Sequence, residues 1–208
     1  MSQPLGAAGF AAVSGVSRET LARLEAYLGL LRRWQRRINL VGAATLADPW
    51  RRHVLDSAQL MAHLPPGARS VLDLGSGAGF PGLVLALLGA PGVVLVEADR
   101  RKCTFLAEAA RITAAPVTIR ATRIEELPET KVDVVTARAL APLPRLLALA
   151  RPFFGPTTVG LFLKGARLDE ELTAAGERGT MRLRRVQSVS DPRGVILHIQ
   201  GIGNGDAQ

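Results

Sequence analysis

Apolar residues near the start of the chain recur at helical spacing. Steps of three and four residues separate Leu21, Leu24, Leu28, Leu31, Trp34 and Ile38. Such a stripe predicts an amphipathic helix, with Ser17 as the N-cap and Glu19 in the first turn. A second helix is predicted over about 45–61, and both helices belong to an N-terminal helical cap over 17–66. Residues 1–16 are rich in Gly and Ala and have no helical period, so they predict a flexible tail.

After the proline-containing linker at 64–68, short apolar runs alternate with helical stretches. The apolar runs predict strands at 70–74, 93–97, 117–120, 132–137 and 159–164. The helices between them are predicted at about 81–88, 101–112 and 143–149. The last two runs, 182–189 and 194–201, flank the turn signal SDPR and predict an antiparallel hairpin. This order predicts a doubly wound, mostly parallel α/β sheet over 67–208 that forms one compact unit with the cap.

The composition is that of a soluble globular chain, with 48% apolar and 21% charged residues. No apolar run approaches the ~20 residues that span a bilayer, so we expect a cytoplasmic protein with no membrane partner. Cys103 is the only cysteine and has no partner for an intrachain disulfide. The three histidines are scattered, and no metal site is predicted. We expect a monomer.

Basic residues outnumber acidic ones by 26 to 18, and the resulting net charge of +8 favours a polyanionic partner. Most of them are arginines, whose guanidinium can bond two phosphate oxygens at once. They cluster at 32–37, 51–52, 100–102 and 182–185. Nucleic acid is therefore the favoured partner, although a solvated arginine-rich surface fits the same composition. The cluster at 32–37 also complements the dipole at the end of its helix.

The stretch VLDLGSGAGFPG at 71–82 predicts a buried strand that leads through a glycine turn into a helix. Ligands of open parallel sheets bind beyond the carboxyl ends of the strands, so Gly75, Gly77 and Gly79 are predicted to line a binding site. The glycine spacing alone also fits a dinucleotide fingerprint. Asp73 favours another ligand, because its carboxylate would repel a pyrophosphate but attract the sulfonium and ammonium of S-adenosylmethionine. The alternative is that Asp73 only bonds backbone amides of the turn.

A second carboxylate ends the next predicted strand. Glu97 lies 18 residues after Gly79, close to the ~20-residue spacing expected for an acid that accepts from ribose hydroxyls. NAD enzymes and methyltransferases share this feature, so Glu97 supports an adenosine ligand without choosing between them. The sequence TRIEEL at 122–127 follows the third strand, where an acid or a backbone amide could meet the adenine edge.

Five stretches occur in the order NLVG…WRRHVLDS, VLDLGSGAGFPGLVLA, RIEEL, VVTARALAPL and LFLKG. Across about residues 38–165 the chain therefore resembles the bacterial small-subunit ribosomal RNA methyltransferase G family, also called glucose-inhibited division protein B. The resemblance implies a class I methyltransferase fold with a mostly parallel, seven-stranded sheet. It also implies methyl transfer from S-adenosylmethionine, leaving S-adenosyl-L-homocysteine, to N7 of one guanine in the 530 loop of 16S rRNA, at the decoding centre of the small ribosomal subunit.

The resemblance also implies particular cofactor contacts. Carried over by position, these are Gly75, Phe80, Ile124, Glu125 and Arg138. Glu97 stands where the family usually has aspartate, and Leu140 replaces the commoner phenylalanine.

The implied chemistry agrees with the residues present. Guanine N7 has an in-plane lone pair and no proton, so it requires alignment with the methyl group, and no catalytic acid or base is predicted. Methylation of an exocyclic amine commonly uses an Asn/Asp-Pro-Pro-aromatic motif after the fourth strand, where this chain has TARALAPL. That reaction is therefore disfavoured.

Basic residues are predicted to form an RNA-binding rim around the pocket, with His53 as a further contact. The rim consists of Arg51, Arg52, Arg100, Arg101, Lys102, Arg138 and Lys164. His53 shares a helix face with Asp56 and Ser57 because it lies three and four residues from them. A hydrolase is disfavoured, since such a nucleophile and base would lack separate supports. The cluster is either structural or helps to place RNA or cofactor.

Three alternative functions remain open at this point. An NAD(P)-dependent oxidoreductase would use the same glycine turn, although Asp73 opposes it. A non-catalytic RNA-binding protein would not need the intact turn together with Asp73 and Glu97. A methyltransferase acting on a different RNA is also an alternative, and one acting on a protein or a small molecule is disfavoured by the basic rim.

Overall fold

The computed structural model describes residues 3–175 and 181–202. Within these residues, seven strands form one sheet in the order β3-β2-β1-β4-β5-β7-β6. The strands are β1 (Val71–Leu74), β2 (Val93–Glu97), β3 (Val117–Ala121), β4 (Val132–Arg138), β5 (Phe154–Lys164), β6 (Arg182–Gln187) and β7 (Val195–Gln200). The first five pair in parallel, and β7 runs antiparallel between β5 and β6. The predicted α/β class and the C-terminal hairpin are confirmed.

Helices cover both faces of the sheet. They are α1 (Ala7–Ser14), α2 (Arg18–Gln35), α3 (Asp56–Ala58), α4 (Gly82–Leu87), α5 (Arg100–Thr113), α6 (Leu143–Ala150) and α7 (Leu168–Ala175). One core packs α2, α4 and α5 on one face, and a second core packs α6 and α7 on the other. The sequence patterns did not predict α7. No helix in the described ranges is both long and apolar enough to cross a membrane.

The N-terminal segment is not the flexible tail that the sequence predicted. Residues 7–14 form α1, and Phe10 is fully buried with its ring 5.4 Å from that of Trp50. The backbone N–H of Leu5 donates to Asp48 Oδ1 at 3.0 Å. The prediction failed because α1 is short and has no amphipathic stripe, so its packing depends on contacts with distant segments that the local sequence does not show.

The predicted helix over 45–61 is instead a series of different helical turns. A 3-10 turn at Ala43–Ala47 is followed by a π-helical turn at Trp50–Leu55, then by α3 and a 3-10 turn at Gln59–His63. We call this the 43–63 segment. A π-helical turn changes the direction of the side chains that follow it, and such turns occur frequently at functional sites.

Helix α2 matches its prediction closely. Ser17 caps it, since its hydroxyl accepts from the backbone N–H of Thr20 at 3.1 Å. Near its other end, Trp34 packs against Phe105 of α5 and donates from its indole N–H to Glu108 at 2.8 Å. This helix therefore connects the N-terminal region to the face of the sheet that carries α5.

Candidate active site

The carboxyl ends of β1, β2, β4 and β5 open into a cavity of about 1130 Å³. Strand order reverses between β2-β1 and β1-β4, and open α/β sheets bind their ligands at such a switch point. One half of the cavity is lined by the glycine turn, the end of β2 and the residues after β3. The other half is lined by the 43–63 segment, the end of β5 and the turn between β6 and β7.

The glycine turn has the backbone shape that the sequence predicted. Gly75, Gly77 and Gly79 have φ of +63°, +56° and +89°, a region that glycine enters without steric cost. A Cβ on Gly77 would meet only the Gly75 carbonyl oxygen, at 3.8 Å, and Gly77 lines the cavity. A ligand can therefore approach the backbone closely at Gly77. Gly79 lies on the packed side of the turn, where a Cβ would come within 3.0 Å of the Tyr27 hydroxyl.

Asp73 lies beneath the cavity surface, next to the glycine turn, and does not line the cavity. Its carboxylate is fully buried and accepts from the Thr136 hydroxyl at 2.8 Å and from the Gly82 N–H at 3.3 Å. Burial raises the pKa of Asp73 to about 6, and the hydrogen bond from Thr136 opposes this rise. Asp73 thus makes a bond to a backbone amide, as the alternative interpretation described, and its attraction for a bound cation stays a prediction.

Glu97 ends β2 and does line the cavity. Its Oε2 accepts from the Gly77 N–H at 2.9 Å and its Oε1 from the Asp99 N–H at 2.8 Å. These two hydrogen bonds fix the orientation of the Glu97 carboxylate against the glycine turn. Asp99 in turn caps α5, accepting from the backbone N–H of Arg101 at 2.8 Å.

The residues after β3 and β4 cover this half of the cavity. Ile124 and Glu125 both line it, as their motif predicted. Leu140, in the loop after β4, contacts the turn so closely that a Cβ on Gly75 would collide with its side chain. Because the end of the Leu140 side chain can move, the positive φ of Gly75 is the main reason that this position favours glycine.

Three side chains from distant segments stack in the other half of the cavity. The imidazole of His53 lies parallel to the ring of Phe80, with centroids 4.8 Å apart and an interplanar angle of 20°. The Arg138 guanidinium carbon lies 4.8 Å from the centre of the same ring, within cation–π distance. These contacts, together with the packing of Tyr27, leave Phe80 only 3% exposed beside the Arg138 cation.

His53 is neutral in this stack. Its Nε2 lies 2.8 Å from the hydroxyl of Thr45, which donates its own proton to the Gly42 carbonyl at 2.6 Å. We therefore assign the His53 proton to Nε2, which leaves Nδ1 as a buried acceptor without a partner in the described residues. Burial, with the nearby Arg138 and Arg52 charges, lowers the pKa of His53 to about 3.

The predicted basic rim is only partly assembled at the cavity. Arg52, Lys102, Arg138 and Lys164 line it. Arg51 does not, because its side chain turns away to Asp48 at 3.1 Å and to the Gln3 carbonyl. Arg100 and Arg101 also do not line the cavity, and are exposed at the start of α5.

Several cavity residues were not predicted. These include Leu40, Val41, Gly42, Thr45, Ala139, Ala141, Pro142, Glu171, Asp191 and Gly194. Lys164 pairs with Glu171 at 2.5 Å, and Arg52 pairs with Asp191 from the turn between β6 and β7. Of these, the residues in the NLVG and VVTARALAPL stretches had a sequence signal, whereas ion pairs between distant segments leave no local pattern.

The residues present fit S-adenosylmethionine. The open space at Gly77 gives the ligand access to the backbone, and the Glu97 carboxylate at the end of β2 suits ribose hydroxyls. The antiparallel β7 between β5 and β6 also distinguishes this sheet from the dinucleotide-binding order 3-2-1-4-5-6. Fold and site together define a class I S-adenosylmethionine-dependent methyltransferase.

Comparison with known proteins identifies the family. The profile of the family described as rRNA small subunit methyltransferase G matches residues 20–199. The ribosomal RNA small subunit methyltransferase G of Rhodospirillum rubrum is 62% identical over 190 residues, covering 91% of this chain and 94% of that protein. The protein of the same name from Parvibaculum lavamentivorans is 52% identical, covering 96% of this chain and 91% of its own length. The chain belongs to the rRNA small subunit methyltransferase G family.

Solved structures agree on the fold at low identity. A TehB-like S-adenosylmethionine-dependent methyltransferase from Corynebacterium glutamicum has a TM-score of 0.56 at 18% identity, covering 85% of this chain and 98% of that one. A variant of MtNAS in complex with S-adenosylmethionine has a TM-score of 0.58 at 12% identity, covering 94% of this chain and 84% of that one. Membership of the rRNA small subunit methyltransferase G family, rather than these structures, sets the oxidoreductase and non-catalytic alternatives aside.

Proposed function

We propose that this chain transfers a methyl group from S-adenosylmethionine to N7 of a guanine in the 530 loop of 16S rRNA. The observation that carries the proposal is a cofactor cradle that continues into a second compartment lined by Phe80, Arg138 and Lys164. The cations of that compartment suit the phosphates of an RNA substrate. The family name agrees with a small-subunit rRNA substrate.

The cofactor is assigned to the half of the cavity around the glycine turn. Gly75, Gly77 and Phe80 would bound it on the turn side, and Glu97 would accept from the ribose hydroxyls. Ile124 and Glu125 would meet the adenine. Asp73 and Gly79 act indirectly, by holding the shape of the turn.

The acceptor is assigned to the half around Phe80. When bound, S-adenosylmethionine would supply an electrophilic methyl group to the N7 lone pair, and the electron pair of its S–C bond would pass to sulfur. No proton leaves N7, so the reaction needs no general base. The two residues in this half that could act as bases are not arranged to remove a proton. His53 is neutral and buried, and Lys164 is paired with Glu171. The residues contribute alignment, which is a large catalytic effect by itself.

The RNA backbone is assigned to the basic residues. Arg52, Lys102, Arg138 and Lys164 belong to the cavity, while Arg100 and Arg101 extend the positive charge outward along α5. We expect a monomer that requires no metal and uses either naked 16S rRNA or the small subunit as its substrate.

The test uses radiolabelled S-adenosylmethionine with unmethylated small subunits and with naked 16S rRNA. The product RNA is then cleaved chemically at N7-methylguanine. We expect a single cleavage in the 530 loop, strongly reduced but measurable in Arg138→Ala and retained in Arg111→Ala, an exposed arginine of α5 outside the cavity. Cleavage at another position would overturn the site, and cofactor binding without transfer to either RNA would overturn the substrate.

A further inference from the structure

Asp56 lies at the junction of three distant parts of the chain. Its Oδ1 accepts from the hydroxyl of Ser190, in the turn between β6 and β7, at 2.6 Å. Its Oδ2 lies 3.4 Å from Nη1 of Arg138, at the end of β4. Asp56 itself belongs to the 43–63 segment, and its side chain is only 17% exposed. One carboxylate therefore bridges the N-terminal region, the centre of the sheet and its C-terminal edge.

Arg138 is held on one edge of its guanidinium. The same Nη1 also donates to the Arg52 carbonyl at 3.1 Å, and the guanidinium lies against the Phe80 ring. Within the described ranges, the hydrogen bonds of Arg138 use Nη1 alone, which leaves Nε and Nη2 as donors on a cavity-lining side chain. A guanidinium is planar and rigid, so fixing one edge fixes the direction of the other.

The charge of Asp56 also matters to Arg138. Burial lowers the pKa of Arg138, and the neighbouring Asp56 carboxylate acts in the opposite direction. An oriented cation needs a fixed counter-charge when it lies away from water. The carboxylate of Asp56 provides that charge and the hydrogen-bond acceptor at once.

We infer that Asp56 is a positioning residue for methyl transfer, which orients Arg138 so that its free edge binds an anionic oxygen of the bound substrates. That oxygen belongs either to the carboxylate of the cofactor or to a phosphate of the RNA. This inference rests on the proposed function of the site, and it adds to that function the residue through which the N-terminal region acts on the reaction.

The competing explanation for Asp56 is a purely structural role through its contact with Ser190. Its bond to Ser190 continues to Ser188 at 2.9 Å, and Ser188 accepts from the side chain of Gln59 at 2.9 Å, so this network holds the turn between β6 and β7. Two variants separate the roles. Asp56→Asn keeps an oxygen acceptor for Ser190 but removes the charge that faces Arg138. Ser190→Ala removes the bond to the turn and leaves that charge.

The experiment measures steady-state methyl transfer to rRNA for both variants, with thermal melting as a check of folding. We expect Asp56→Asn to lower kcat/KM by about tenfold or more and Ser190→Ala to change it less than about twofold. A raised KM for S-adenosylmethionine alone would identify the cofactor carboxylate as the bound oxygen, and a raised KM for RNA alone the phosphate. Asp56→Glu, which keeps the charge, should recover part of the loss. It replaces Asp56→Asn in the comparison with Ser190→Ala if Asp56→Asn does not fold.

A double-mutant cycle provides the decisive result. If Asp56 acts through Arg138, then adding Asp56→Asn to Arg138→Ala should lower kcat/KM no further. Losses that multiply, or equal losses in Asp56→Asn and Ser190→Ala, would overturn the inference. If wild-type protein does not methylate rRNA, the proposed function fails, and the same cycle is measured on the binding of S-adenosyl-L-homocysteine and of an RNA oligonucleotide. Additivity in both binding series would then overturn the inference separately.

Discussion

The hydroxyl of Tyr27, in α2, donates a hydrogen bond to the carbonyl of Ala78, inside the glycine turn. Tyr27 is fully buried, and its ring packs 5.2 Å from that of Phe80, which lines the cavity. The two bonded residues are 51 positions apart. Helix α2 therefore packs on the sheet and also helps to shape the glycine turn assigned to the cofactor.

Removal of that hydroxyl should weaken both the fold and the cofactor site. In Tyr27→Phe the buried Ala78 carbonyl loses its donor, which costs about 1–3 kcal/mol of the free energy of unfolding. Because the carbonyl belongs to the turn, the affinity for S-adenosyl-L-homocysteine should fall as well. Urea denaturation and isothermal titration calorimetry measure the two effects.

A matched control for Tyr27→Phe is Trp34→Phe, further along the same helix. This change removes the bond to Glu108, which does not involve the turn. It should lower stability and leave the affinity for S-adenosyl-L-homocysteine unchanged. Equal losses of affinity in both variants would show that α2 acts only through general stability.

Glu97→Gln should weaken cofactor binding by about tenfold or more, since hydrogen bonds to a charged group contribute about 1.5–3 kcal/mol. The amide has one acceptor oxygen, so it cannot serve both Gly77 and Asp99 as the carboxylate does. Calorimetry with S-adenosyl-L-homocysteine measures the change. Glu126→Gln is the control, because Glu126 is exposed and lies outside the cavity. An unchanged affinity in Glu97→Gln would argue against a ribose contact.

Asp73 should make stability depend on pH between about 4 and 6. Its pKa is raised from 3.8 to about 6 in the folded protein, so the folded state holds this proton more tightly than the unfolded chain. Its stabilising contribution is therefore complete below about pH 4 and is lost as the pH rises through 6, by at most about 3 kcal/mol. The free energy of unfolding of wild type minus that of Asp73→Asn should therefore fall by up to about 3 kcal/mol between pH 4 and pH 7. Urea titrations across this range measure it, and a constant difference would contradict the assignment.

The outer arginines of α5 should control the salt dependence of RNA binding. If Arg100 and Arg101 each contact one phosphate, replacing both by alanine should reduce the slope of log K against log salt by about 1.4 for single-stranded RNA. Fluorescence anisotropy with a labelled 530-loop oligonucleotide measures the slope. The control replaces two other exposed arginines, Arg18 and Arg111. Arg111 lies about 16 Å further along α5 than Arg100. Equal reductions in both pairs would indicate a diffuse charge effect.

Local pattern was sufficient for most elements of the fold. Helix α2 and its Ser17 cap, the strand–glycine turn–helix unit and Glu97 at the end of β2 all lie where the sequence predicted them. Each depends on periodicity or turn chemistry within a few residues, which a single sequence carries. The apolar runs also determined that the sheet would be buried on both faces. The glycine turn predicted where the cavity would lie, and Gly75 and Gly77 line it.

The direction of individual side chains was decided only by tertiary structure. All four residues of β1 are buried, so no alternation of polar and apolar positions could indicate that Asp73 faces Thr136 instead of the cavity. Arg51 and Arg52 are adjacent in one basic cluster, yet Arg51 pairs with Asp48 and Arg52 pairs with Asp191. Asp56 meets Ser190 across 134 positions of the chain. Such contacts form because packing of the sheet brings distant segments together, and the free energy that selects them arises between segments rather than within any one of them.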